Sequence, residues 1–104
     1  MVAAERRSMT RVHAKPPGLR LRLYIAGNAP NSLRAISNLK TICDEHFASR
    51  FALEIVDLLT HPQRALDDGI IVTPTLVKLS PLPVQRVIGT LNDTNQVVMA
   101  LAGK

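Results

Sequence analysis

The stretch Leu19-Arg20-Leu21-Arg22-Leu23-Tyr24-Ile25-Ala26-Gly27-Asn28-Ala29-Pro30-Asn31 decides how the rest of the chain is read. Leu19, Leu21, Leu23 and Ile25 alternate with Arg20, Arg22 and Tyr24, the two-residue period of a strand with one buried face. Gly27 ends the strand. Pro30 then suits the first turn of a helix, because the N–H it lacks would have no partner there. Asn28 or Asn31 can cap that helix. Leu33, Ile36, Leu39, Ile42 or Cys43, and Phe47 recur at helical spacing, which predicts a helix from Pro30 to Phe47.

Outward from this unit, Phe51, Leu53 and Ile55 alternate again and give a second strand ending at Asp57-Leu58. Strand, helix and strand in this order favour parallel pairing with a right-handed crossover. Pro62 to Asp68 reads as a short helix closed by Gly69. Ile70-Ile71-Val72 leads into Thr73-Pro74-Thr75 and a strand at Leu76–Leu79. Pro81 and Pro83 bracket a tight connection to a strand at Val84–Ile88, and Gly89 turns the chain. Asp93 with Gln96 three residues later forms a capping pair for a last helix, with Val97, Val98 and Leu101 on its buried face. The order is βαβ, then α, then ββα. This is an α/β, thioredoxin-like arrangement.

The chain has 104 residues, room for one small domain. Apolar residues make up 46% and aromatic ones only 3% (Tyr24, Phe47, Phe51), so the core must be aliphatic. A domain of this size buries only roughly two-thirds of its unfolded surface, and self-association is expected. The net charge of +5 is uneven. Residues 1–20 carry Arg6, Arg7, Arg11, Lys15 and Arg20 against Glu5; thirteen basic groups less these five leaves eight, against seven acidic groups. We therefore expect a basic disordered tail over residues 1–18, ending in Pro16-Pro17-Gly18, and a nearly neutral domain over 19–104. No aromatic platform interleaves with the tail's cations, which argues against nucleic-acid binding. The single cysteine, Cys43, excludes an internal disulfide and fits a reducing cytoplasm. Neither a signal peptide nor a run of 18 apolar residues is present, so no membrane partner is expected.

In thioredoxins the first strand runs into a Cys-x-Pro-Cys turn that makes a thiolate at the helix N-terminus. The matching turn here is Asn28-Ala29-Pro30-Asn31, with amides in place of both sulfurs. Disulfide exchange at this turn is chemically impossible, and an enzyme is not expected. Cys43, deep in the helix, is expected to be buried and inert. Pro74 sits where such folds carry a cis proline, and we expect cis there. His13, His46 and His61 do not converge, and Cys43 with His46 lacks a second ligand pair, so no metal or cofactor is expected. His46 fits a helix C-terminus, and Asp67-Asp68 a solvated helix end.

The run Leu23 to Ser32, with Ile55-Val56-Asp57-Leu58, Pro62-Gln63, Thr73-Pro74-Thr75-Leu76 and Val87-Ile88-Gly89, resembles the KaiB family over roughly residues 19–101. The resemblance implies a non-enzymatic adaptor that binds a KaiC-type ATPase ring and modulates its phosphorylation or ATPase cycle. It also implies self-association to a dimer or tetramer, and two folds of one sequence. The βαβ half would be common to both, while the half after Asp57 is thioredoxin-like in one and rearranged in an alternative ground state. Gly27, Asn28, Pro30, Asn31 and Pro74 are then structural motif residues. Lys78 and Arg86 are the matching partner-binding cations, whereas Gly69 and Gln85 stand where Lys or Arg would be expected. Ala100 and Ala102 replace Gly and Asp, which favours a helical C-terminus and so the thioredoxin-like form. Relatives of this kind also act in stress responses, which leaves a second reading: a module of the same fold acting on another ATPase or a sensor kinase.

Overall fold

The alternation that opens the domain becomes strand β1 (Leu19–Ile25), and Pro30 opens helix α1 (Pro30–His46). The computed structural model describes residues 18–47 and 50–102; the tail expected over 1–18 falls almost wholly outside them. Strand β2 (Phe51–Asp57) follows, then helix α2 (Gln63–Asp68), strands β3 (Thr75–Ser80) and β4 (Gln85–Ile88), and helix α3 (Thr94–Ala102). The four strands form one sheet in the order β2-β1-β3-β4. β1 and β2 are parallel, with Leu19 opposite Phe51 and Ile25 opposite Asp57. β3 is antiparallel to both β1 and β4. The expected βαβ-α-ββα order is therefore the observed one.

Each side of the sheet has its own core. Alternate β1 residues Leu19, Leu21, Leu23 and Ile25 pack with Ala35, Leu39, Ile42 and Cys43 of α1, and with Val97 and Leu101 of α3. The other side holds Tyr24, Val56, Ile70 and Val77, with Ala65 of α2 packed against them. Tyr24 was expected on a polar face. It is only 2% exposed, because α2 covers that face and turns a one-sided sheet into a two-sided one.

The buried stripe of α1 is rotated from the expected one. Leu33 is 50% exposed, while Ser32, Ala35, Leu39, Ile42 and Cys43 are buried. Ser32 Oγ accepts the Ala26 N–H at 3.1 Å, and turning Ser32 inward carries its neighbour Leu33 outward. Neither asparagine caps the helix: Ala29 occupies the N-cap with no side-chain bond, and Pro30 provides the preset first turn. Two other terminal devices are as expected. Gly69 closes α2 in the left-handed region at φ +68°, and Asp93 Oδ1 accepts the Gln96 N–H at 3.1 Å at the start of α3. The Thr73–Pro74 bond is cis, as are Ser80–Pro81 and Leu82–Pro83.

Candidate functional site

The turn between β1 and α1 is clamped from below. Asp57, at the end of the parallel neighbour β2, accepts the Gly27 N–H and the Leu59 N–H, each at 2.9 Å, through Oδ1. Gly27 has φ +56°, a backbone conformation that favours glycine; a Cβ there would lie 2.7 Å from Leu59 Cδ1, the mobile end of an exposed side chain that could move aside. With Ser32 holding Ala26, the turn keeps its shape without chemistry of its own. Asn28 and Asn31 are exposed amides. Asn38 of α1 reaches across to donate to Thr90 O at 2.8 Å, which ties the helix to the loop after β4.

Cys43 lies inside the α1 core, and burial pushes its thiol up to about 11. A thiol so raised carries almost no thiolate at neutral pH, as expected of a packing residue. Among the described residues no group of three or more His, Cys, Asp or Glu is placed to hold a metal ion. None of their helices is long and apolar enough to cross a membrane.

The polar chemistry concentrates on the α2 side of the sheet. Tyr24 Oη donates to Asp68 Oδ2 at 2.6 Å, and Arg22 Nη1 donates to Tyr24 Oη at 3.3 Å. Arg22 Nε pairs with Glu54 at 2.7 Å, its neighbour across the parallel strands, and Arg64 Nε pairs with Asp68 at 3.3 Å one turn away. The Tyr24 hydroxyl, then Arg64, hold the Asp68 carboxyl below its ordinary range; the Arg22 hydrogen bond does the same for Glu54. Burial, with the Asp68 bond, raises the Tyr24 hydroxyl. Arg86 completes the arrangement from β4, donating to Gly69 O at 3.0 Å and Asp68 O at 2.9 Å. A cation on the last carbonyls of a helix complements its dipole. The sequence reading missed this network, although Arg64 and Asp68 stand at the four-residue spacing of a helical ion pair.

The two candidate contact cations part company. Arg86 is exposed and lies opposite Val77, on the α2 side. Lys78 lies opposite Gln85, one residue out of step, and so on the other side of the sheet. It is 0% exposed, which corrects the expectation of an outward-facing strand residue. Gly69 and Gln85, which stand where cations were expected, have their own places. Gly69 occupies the left-handed helix end and lends its carbonyl to Arg86; Gln85 is half-buried opposite Lys78. Ala100 packs half-buried against the α1 side of the core, and Ala102 is exposed at the end of α3. Ile88, two residues from Arg86 on the same strand face, is 65% exposed; Leu66 on α2 and Ile71 just after it are also exposed.

A thioredoxin-like sheet whose first turn carries amides in place of the thiol pair defines a protein of the thioredoxin-like fold with a thiol-free turn. Comparison with known proteins narrows the class. The KaiB domain matches residues 22–102, and the chain belongs to the KaiB family. It is 49% identical over 81 residues to the circadian clock oscillator protein KaiB of Synechococcus elongatus, covering 78% of this chain and 79% of that one. The KaiB of Gloeothece citriformis is 48% identical, over 78% of this chain and 76% of its own. Among solved structures, the N-terminal domain of Synechococcus elongatus SasA has a TM-score of 0.69 at 27% identity, covering 91% of this chain and 93% of that one. Fasciola hepatica thioredoxin has a TM-score of 0.66 at 16% identity, over 85% and 83% of the two chains, a likeness of fold.

Proposed function

We propose that this chain is a non-enzymatic clock or timer adaptor that docks, in its thioredoxin-like form, on a KaiC-type ATPase ring and modulates its phosphorylation or ATPase cycle. The observation that carries the reading is the near-half identity to KaiB over 81 residues, beside a KaiB-domain match whose span, residues 22–102, takes in the thiol-free turn. Arg86 supports a contact role, since it is exposed, charged and set beside exposed Ile88. Lys78 has no such role in this fold, because its side chain is enclosed. Ala100 and Ala102 favour α3 as a helix over the Gly and Asp of the family pattern, by about 0.5–1 kcal/mol for the glycine position. That bias supports a chain that holds the docking-competent form without its partner, with the rearranged ground state as the minor one.

The test is co-elution of the full chain with its cognate KaiC-type ATPase and nucleotide on a sizing column. A ring-sized complex is expected, and its absence counts against the reading. Arg86→Glu should weaken the complex at least about tenfold, because attraction at the interface becomes repulsion. Arg86 also ties β4 to α2, so the variant's melting temperature is measured alongside. Unchanged affinity in a folded variant places the interface elsewhere.

A further inference from the structure

A cavity of about 440 Å³ opens where α1 and α3 both end. Phe47 just past α1, Leu19 at the start of β1, Leu101 near the end of α3 and Pro81 after β3 give it apolar walls. Leu19 and Leu101 are buried members of the α1 and α3 core, so the floor of the cavity is the edge of that core. Its volume is within the range of small-molecule sites, roughly 300–1,000 Å³, and apolar walls with few polar groups are their usual lining.

The ionisable side chains that line it among the described residues, His46 and Arg50, are basic, and none is acidic. A further cation lies beneath the same face of the sheet. Lys78 is enclosed on the α1 and α3 side, across from Leu21, two residues along β1 from Leu19 of the cavity. Two residues of strand span roughly 7 Å, a separation over which charges interact appreciably where water is scarce. Lys78 Nζ has no hydrogen-bond partner among the described residues. A buried ammonium without a counter-charge gains from an anion placed near it. The negative ends of α1 and α3 act the other way, each equivalent to about half a charge. Arg50 and Lys78 carry one full charge each, so the balance favours an anion.

We propose that this cavity binds a free medium-chain carboxylic acid. The aliphatic chain lies on Leu19, Phe47, Pro81 and Leu101, and the carboxylate is held by Arg50, with Lys78 adding attraction from below. The site is separate from the surface around Arg86 and Ile88. Pro81 follows Ser80, which pairs with Arg20 at the start of β1, whereas Ile88 pairs with Thr75 at the opposite end of β3. Arg86 lies on the α2 side of the sheet. The inference therefore holds whether or not a KaiC-type ring is the partner.

The experiment is addition of sodium decanoate, below its micelle threshold, to the full chain, followed by NMR amide shifts. Saturable binding in the micromolar range is expected, with the largest shifts at Leu19, Phe47 and Leu101. Arg50→Gln and Lys78→Met should each weaken decanoate at least about threefold, the scale of a partly screened ion pair. Decanol, of equal length and uncharged, should bind wild type about tenfold more weakly than decanoate, the two single losses combined. Ala102→Trp, at an exposed helix end bordering the cavity, should block both ligands by filling it. Arg50 is exposed, so Arg50→Gln tests the charge even where Lys78→Met is unfolded. Absence of saturable decanoate binding overturns the proposal, and so does equal affinity for decanol. Undiminished binding in Arg50→Gln, in a folded Lys78→Met or in Ala102→Trp overturns it as well, as do shifts confined to another part of the molecule.

Discussion

On the α1 and α3 side of the sheet, thirteen buried apolar or cysteine residues close over one another, with the charged Lys78 enclosed on the same side. On the α2 side only four residues form the buried cluster, and α2 itself contributes no fully buried residue. What holds α2 is instead a set of named polar contacts: Tyr24 and Arg64 on Asp68, Arg22 on Glu54, and Arg86 on the helix end. Apolar burial is insensitive to salt and to carboxylate protonation. Half-exposed ion pairs respond to both. The same sheet thus carries one helical layer fixed by area and another fixed by charge.

The comparison is broken most severely on the apolar side. Leu39 is fully buried at the centre of α1, and Leu39→Ala should cost about 2–5 kcal/mol by chemical denaturation. A loss below about 1 kcal/mol would mean that this core is loosely packed.

On the polar side, Tyr24→Phe removes one hydroxyl and leaves the ring in place. About 1 kcal/mol should be lost, discounted because the Asp68 side chain is 26% exposed. The same contacts predict a pH response. Asp68 and Glu54 have folded values below their unfolded ones, so their contribution is present above the ordinary carboxylate range and disappears as pH falls through it. Wild type should therefore lose stability below about pH 4, and Asp68→Asn should flatten that fall. An equally steep fall in Asp68→Asn would remove this carboxylate from the latch.

The smallest effect belongs to the cap of α3. Asp93→Ala leaves the Gln96 N–H without its acceptor and should cost about 0.5–1 kcal/mol. The loss should appear as faster hydrogen exchange in the first turn of α3 and not in α2. Equal change in both would mean that the two helical layers are more tightly coupled than their separate clusters indicate.

Local signals in the sequence were enough for much of this molecule. The Leu19–Ile25 alternation, the Pro30 helix start, Gly69 at the end of α2, and Asp93 at the start of α3 each depend on neighbours a few residues away, and each is where it was expected. The absence of thiols from the turn was equally plain, because it is a matter of residue identity. Three things needed the tertiary structure. Tyr24 became a core residue because α2, forty residues on, folds over its face. Arg22 met Glu54 through the parallel register, which no local pattern sets. Lys78 and Arg86, alike as charges on neighbouring strands, fell on opposite sides of the sheet because their register differs by one residue. Composition and periodicity determine which elements form. Register and layering decide which side chains meet, and a slip of one residue is enough to move a cation from water into the core.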